Sequence, residues 1–162
     1  MSIEDIINAA NLHKAIHDQD TARLIIDRDK VIDSHDVKGL KVKTKHIKDG
    51  VDINIKLADN TVIEKPVHLC FGVTHKRALQ KIIMKVDIGA NSKILIYSHC
   101  VFPNAEDVKH IMDGNIRVGK NASYAYLEKH IHSEQGGITV IPKAKITLGQ
   151  GARAKTEFEL LQ

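Results

Sequence analysis

The sequence has no tryptophan, and three phenylalanines and three tyrosines make aromatic residues 4% of the chain. This scarcity argues against a platform on which nucleic-acid bases stack. Lysine and arginine number 24 against 20 aspartates and glutamates, and no block of like charge is present. The basic excess is therefore weak support for nucleic acid, and we expect no nucleic-acid partner.

Long apolar runs and targeting signals are absent as well. No run approaches the roughly 18 residues that cross a membrane, and residues 1–5 do not begin a basic, then apolar, secretory signal. Two cysteines without such a signal indicate a reducing compartment and argue against a disulfide framework. We therefore expect a cytoplasmic protein that does not span a membrane.

Several motifs of nucleotide-binding and hydrolytic enzymes are also missing. No Gly-Lys-Ser or Gly-Lys-Thr follows a glycine loop, so the chain has no P-loop for phosphates. It contains neither the G-x-G-x-x-G dinucleotide fingerprint nor the G-x-S-x-G turn of serine hydrolases. These absences argue against nucleotide-binding and serine-hydrolase chemistry of these kinds.

The sequence does contain a repeat of about 30 residues. Three stretches align at this offset, namely residues 86–92, 116–122 and 146–152. Their glycines fall in register, and apolar residues alternate with polar ones before each glycine, as in a β-strand. Such alternation, repeated at a longer period, predicts stacked strands of a β-solenoid. The alternative is an antiparallel sandwich with three similar hairpins.

A fainter copy of the repeat lies upstream at residues 55–61, at an offset of 31 from residues 86–92. If that offset holds throughout the coil, His68 stacks on His99 and Phe71 stacks on Phe102.

The predicted elements divide the chain into two parts. Residues 1–39 form a helical and irregular segment, with a helix from Ser2 to about His17 capped by Ser2. Residues 40–162 form the β-solenoid domain, which begins with a hairpin turning near Asp49. Further strands are predicted at about 62–73, 79–88, 92–102, 107–118, 122–132, 138–148 and 153–161.

The densest polar cluster begins at Glu128. On an extended strand four side chains share one face, namely those of Glu128, His130, His132 and Glu134. Two imidazoles and two carboxylates are a suitable divalent-metal set. The alternative is a hydrogen-bonded polar end of the sheet. The face begins with Tyr124 and Tyr126, so it continues a side that is otherwise apolar.

The repeat adds a cysteine to this face. Cys100 lies one repeat before His130, and Ser98 lies one repeat before Glu128. A thiolate beside a histidine can bind a soft metal or sulfur. The alternative is that Cys100 is a small buried apolar residue, which is common for a free cysteine.

Several segments resemble the core of the SufB/SufD family of iron–sulfur cluster assembly proteins. They are residues 66–72, 99–105, 112–113, 116–122, 126–132, 136–137 and 140–144. The most specific part is Glu128-x-His130-x-His132, followed by Gly136-Gly137 and Val-x-Pro. Together these segments cover about residues 62–161.

The resemblance implies a right-handed parallel β-helix that acts as a scaffold with an ATPase subunit of the Suf type. It also implies a short form, because family members usually continue through a C-terminal region that engages the ATPase. The candidate ligands for an iron–sulfur cluster are Cys100, Glu128, His130 and His132. Those for a divalent metal are Glu128, His130, His132 and Glu134.

Three functions remain open from the sequence. The first is an iron–sulfur assembly scaffold or accessory protein, the second a cupin-like metal-dependent enzyme, and the third a structural interaction module without metal. A solenoid end exposes unpaired backbone groups, so we also expect a homodimer through the C-terminal end.

Overall fold

A computed structural model describes residues 3–161 of the chain, so the predicted cap, Ser2, lies outside the described residues. Two short helices precede the sheets, α1 (Ile3–Ala9) and α2 (His13–His17). The strands are β1 (Arg23–Asp27), β2 (Lys30–His35), β3 (Leu40–Ile47), β4 (Gly50–Leu57), β5 (Val67–Gly72), β6 (Arg77–Ile88), β7 (Lys93–Phe102), β8 (Asp107–Val118), β9 (Ser123–His132), β10 (Ile138–Leu148) and β11 (Arg153–Leu161).

The strands form a β-solenoid with two facing sheets, as the repeat predicts. One sheet has the order β11-β9-β7-β5-β1-β2 and the other has the order β10-β8-β6-β4-β3. Each coil contributes one strand to each sheet, in the pairs β4–β5, β6–β7, β8–β9 and β10–β11. Strands of successive coils pair in parallel, so equivalent repeat positions become neighbours.

The glycines of the repeat lie in a line at one corner of the solenoid. The Gly119 amide donates to the Ile88 carbonyl at 2.8 Å, and the Gly149 amide donates to the Val118 carbonyl at 2.8 Å. A Cβ atom on Gly119 would lie 2.8 Å from the Ala90 nitrogen, closer than a side chain tolerates. Glycine at this position therefore permits the coils to stack at strand spacing.

The alternation of side chains places the core between the sheets. In β6 and β8 every second residue is buried, as at Val86 and Ile116, which are paired in register. The inner faces bring together aliphatic and aromatic side chains from β1 and from β3 to β9 in one cluster. Burial of this alternating apolar face is the main source of stability for the stacked coils.

The N-terminal helix differs from the prediction, because it is broken into α1 and α2. Asn11 has a φ of 54°, and the amides of Asn11 and Leu12 donate to the carbonyls of Asn8 and Ile7. This paired arrangement is a Schellman motif, which ends a helix at a left-handed residue. The helices pack on the outer face of a sheet, where Ile6 lies in a cluster with Cys70 and other apolar residues. No helix in the described part of the chain is long and apolar enough to cross a membrane.

Residues 18–39, for which the sequence predicted no regular element, contain a hairpin. β1 pairs in parallel with β5 and antiparallel with β2, so this hairpin covers the N-terminal end of one sheet. Leu24, Ile25 and Ile26 are all buried, because the outer face of β1 lies against the helix cluster. A strand buried on both faces shows no alternation, which is why the pattern did not reveal it.

The predicted offset of 31 holds in one sheet and is wrong in the other. Ile55 pairs with Val86 at that offset, but in the second sheet the first coil is two residues shorter. His68 therefore pairs with Tyr97, and Phe71 pairs with Cys100 instead of Phe102. The His68 and His99 rings still meet, with their Nδ1 and Nε2 atoms 3.2 Å apart.

Candidate functional site

Three potential metal ligands meet inside the solenoid. Cys100 lies on β7, and Glu128 and His130 lie on the neighbouring strand β9. One ligand atom from each residue lies within 4.8 Å of the other two, and all three residues are buried. The pairing predicted from the repeat is confirmed, because Cys100 lies opposite His130 and Ser98 lies opposite Glu128. We call these three residues the inner cluster.

Glu128 supplies the negative charge of the inner cluster. Burial raises the pKa of its carboxyl group, but hydrogen bonds from His130 and Tyr126 outweigh burial and hold that pKa below its usual value. Its Oε1 atom lies 2.6 Å from His130 Nε2, and its Oε2 atom accepts a hydrogen bond from the Tyr126 hydroxyl. The group is therefore a carboxylate at neutral pH, held in place by two donors.

The His130 ring presents a free nitrogen inside the protein. Because the Glu128 carboxylate is an acceptor, the Nε2 atom of a neutral His130 carries the proton and Nδ1 keeps its lone pair. Within residues 3–161, His130 Nδ1 is buried and has no hydrogen-bond partner. A buried polar atom without a partner is costly. A cation shared with Glu128 would be bound through the other ring nitrogen, Nε2, which lies 2.6 Å from Glu128 Oε1 and would give up its proton.

Cys100 is a neutral thiol in the inner cluster. Burial, followed by the nearby Glu128 charge, raises the pKa of this thiol well above its ordinary value. A bound cation would favour the thiolate and would balance the Glu128 carboxylate. Sulfur, imidazole and carboxylate donors together suit zinc or iron better than magnesium or calcium. The residues present therefore fit a thiophilic metal ion or a metal of a cluster.

The other two predicted ligands lie at the end of β9. His132 is partly buried, and its ring centroid lies 5.7 Å from that of His130. Glu134 is exposed and lies in the turn after β9, beyond the last strand residue. The strand alternation that placed it beside the histidines does not extend past His132. The structure thus brings His132 near the inner cluster and leaves Glu134 outside it.

Sequence reasoning assigned no role to His110, which faces the inner cluster from the opposite sheet. It is fully buried on β8, and its Nε2 atom lies 3.9 Å from Cys100 Sγ. Burial, followed by the effect of His130, lowers the pKa of His110 to about 4, so the ring is neutral. His110 lies on a predicted strand an even number of residues from Met112 and Ile116, so the alternation indicates that its side chain points into the core with theirs. The strand pattern could not show which residues it would meet across the interior.

A cavity of about 510 Å³ leads toward the inner cluster from the last coil. Its lining includes Tyr126 and Glu128 from β9 and Phe158 from β11. Phe158 is 57% exposed, and its ring centroid lies 4.7 Å from that of His130. Glu128 is thus the residue of the inner cluster that lines this cavity.

Comparisons with known proteins give two similar curated proteins. The chain is 35% identical over 159 residues to an iron–sulfur cluster assembly SufBD family protein of Pyrococcus horikoshii, covering 98% of this chain and 48% of that protein. It is 32% identical over 138 residues to a SufBD family protein of Methanocaldococcus jannaschii, covering 85% of this chain and 44% of that protein. The chain therefore spans about half the length of these relatives. No family model and no solved structure matches it.

Proposed function

We propose a role in iron–sulfur cluster assembly for this chain, which belongs to the SufBD family over the segment that it shares with its relatives. In this role it is a scaffold or accessory protein and not a catalyst. It holds iron, or a cluster as cargo, at Cys100, Glu128 and His130, with His132 as a further ligand. The proposal includes a cytoplasmic location and an ATPase subunit of the Suf type as partner.

The observation that carries this proposal is the composition of the inner cluster. A sulfur, a carboxylate and an imidazole with an unpaired nitrogen lie together where an apolar core is expected. Buried polar groups are costly unless they are satisfied, so a core that keeps three of them needs a reason. Binding of a thiophilic metal supplies that reason. A cupin-like enzyme is less well supported, because His130 is fully buried, with its ring packed against those of Phe102 and Phe158.

Reconstitution with iron and sulfide under anaerobic conditions tests the proposed function. We expect a sulfur-to-iron charge-transfer absorbance in the wild-type chain and at least a tenfold lower absorbance in Cys100→Ser and His130→Phe. Each substitution removes one ligand, and the loss of a ligand commonly lowers metal affinity by about tenfold or more. The measurement is the visible absorbance together with bound iron and sulfide per chain.

Cys70→Ser is the matched control for this experiment. Cys70 is also a free, fully buried cysteine, but it lies on the outer face of the sheet beneath the helices. We expect its variant to reconstitute as the wild type does. Wild-type spectra from both Cys100→Ser and His130→Phe would contradict the assigned ligands. No metal in wild-type protein purified without oxygen, and none after reconstitution, would favour a structural module.

The predicted homodimer is also part of the proposal. β10 pairs only with β8, and β11 pairs only with β9, among the strands of the described region. The last coil exposes large apolar side chains, including Phe158 and Leu160 at 57% and 50%. We propose that a second copy of the chain covers this coil, because exposed apolar strand edges favour pairing.

Light scattering at micromolar concentration tests the dimer. We expect twice the chain mass for the wild type and the single chain mass for the double variant Phe158→Glu and Leu160→Glu. Charges on both apolar side chains would oppose desolvation of the interface. A wild-type monomer at these concentrations would contradict the dimer without affecting the proposed metal site.

A further inference from the structure

The buried side chain of Gln80 has a fixed orientation. Its Nε2 atom donates to the carbonyl of Arg28 at 2.9 Å and to the carbonyl of Gly72 at 3.0 Å. The reversed amide would place its oxygen against two carbonyl oxygens, which cannot donate. Both amide hydrogens of Gln80 are therefore in use, and its Oε1 atom is an acceptor.

This orientation fixes the proton on His110. His110 Nδ1 lies 2.7 Å from Gln80 Oε1, so Nδ1 carries a hydrogen and donates it. The neutral ring then keeps a lone pair on Nε2, the nitrogen that points toward Cys100. Two backbone carbonyls thus orient Gln80, Gln80 orients His110, and His110 directs its Nε2 lone pair toward the Cys100 sulfur.

The distance to the sulfur is suitable for shared metal coordination. His110 Nε2 lies 3.9 Å from Cys100 Sγ. In a tetrahedral site with metal–sulfur and metal–nitrogen bonds of about 2.3 and about 2.0 Å, two such ligand atoms lie about 3.5 Å apart. The centroids of the His110 and His130 rings are 6.0 Å apart, and the ring planes are nearly perpendicular. The His110 ring thus faces both the Cys100 sulfur and the His130 ring from the opposite sheet.

We propose that His110 is a fourth donor to the inner cluster and that Gln80 is the residue that positions it. The site is then enclosed by ligands from both sheets, with a cysteine, a glutamate and two histidines. These four donors fill a single tetrahedral metal ion, so His132 would be a ligand only of a further metal in a cluster. This donor set suits a tetrahedral thiophilic divalent cation, such as zinc, or an iron of a cluster. The inference rests on the proposed function, since it completes the same site.

Cobalt(II) is the probe for this inference, because its visible spectrum reports both the sulfur ligand and the coordination geometry. We expect tetrahedral bands and a sulfur-to-cobalt band in the wild type, with the sulfur band absent from Cys100→Ser. In His110→Phe and Gln80→Leu the sulfur band persists, but cobalt affinity falls by about tenfold to a hundredfold. His99→Phe, a buried histidine outside the inner cluster, is the control and should bind as the wild type does.

A measurement on the wild-type chain covers the case in which these variants do not fold. Long-range proton–nitrogen NMR of the metal-free protein should show His110 with a proton on Nδ1 and none on Nε2. Addition of cadmium-113 should give a cadmium–nitrogen coupling to His110 Nε2. A proton on Nε2, or bound cadmium without this coupling, would overturn the inference.

The outcomes separate this inference from the proposed function. If the wild type binds neither cobalt nor cadmium, both are overturned. If it binds cobalt through Cys100 and His110→Phe leaves the affinity unchanged, only the fourth donor is overturned. If His110→Phe weakens binding but Gln80→Leu does not, His110 is supported as a ligand and the positioning role of Gln80 is overturned.

Discussion

Acidification from pH 7 to pH 4 is expected to lower the free energy of unfolding by about 3 kcal/mol for each of two buried histidines, His99 and His110. Burial, together with the effects of His68 and Lys129, lowers the pKa of His99 to about 4. Burial, with the effect of His130, lowers the pKa of His110 to about 4 as well. An unfolded histidine takes up its proton near pH 6.5, as an ordinary side chain does.

The direction follows from proton counting. Between about pH 6.5 and pH 4 the unfolded chain binds protons at these histidines and the folded chain does not, so the free energy of unfolding decreases as the pH falls. The stability that these neutral histidines allow is fully present above pH 6.5 and is lost by about pH 4. Burial also lowers the pKa of His68 and His132, which adds to the same trend.

Urea denaturation at several pH values, with a chelator present, measures this effect. His99→Phe removes one titrating group and should reduce the loss of stability between pH 7 and pH 4 by about 3 kcal/mol. His75→Gln replaces an exposed histidine and is the control for the substitution itself. Equal pH dependence in the wild type and His99→Phe would contradict the prediction.

Local alternation was sufficient to predict most strands and the contact between Cys100 and His130. Side chains on a strand alternate between two faces, and a fixed repeat length makes equivalent positions neighbours. Both conditions hold from β6 to β11, where the coils are 30 residues long and pair without irregularity. The same pattern gave the direction in which Glu128 and His130 point.

The rest of the site depends on features that no local pattern contains. The first coil is two residues shorter in one sheet, so the predicted pairing of His68 with His99 shifts. His110 and Cys100 lie on different sheets and meet across the interior. The spacing of residues along the chain does not determine which side chains of the two sheets face each other. The position of Gln80 depends on two backbone carbonyls from β5 and from the turn after β1.

Truncation of Phe102 to alanine is expected to cost about 3–5 kcal/mol of unfolding free energy, the usual range for a fully buried phenylalanine. The side chain has 0% exposure. Its ring centroid lies 5.3 Å from that of His110, 5.9 Å from that of His130 and 5.7 Å from that of His132. Removal of the ring would therefore leave a cavity beside three imidazoles and weaken cobalt binding as well as the fold.

Phe71→Ala provides the comparison that separates packing from support of the site. Phe71 is also fully buried, but its described ring contact with a histidine is to His110 alone, at 6.3 Å. We expect a similar loss of stability in urea denaturation from both variants and a greater loss of cobalt affinity from Phe102→Ala. A cost below about 1 kcal/mol for Phe102→Ala would contradict its place in the core. Equal cobalt affinities in the two variants would show that the ring fills space without holding the histidines in position.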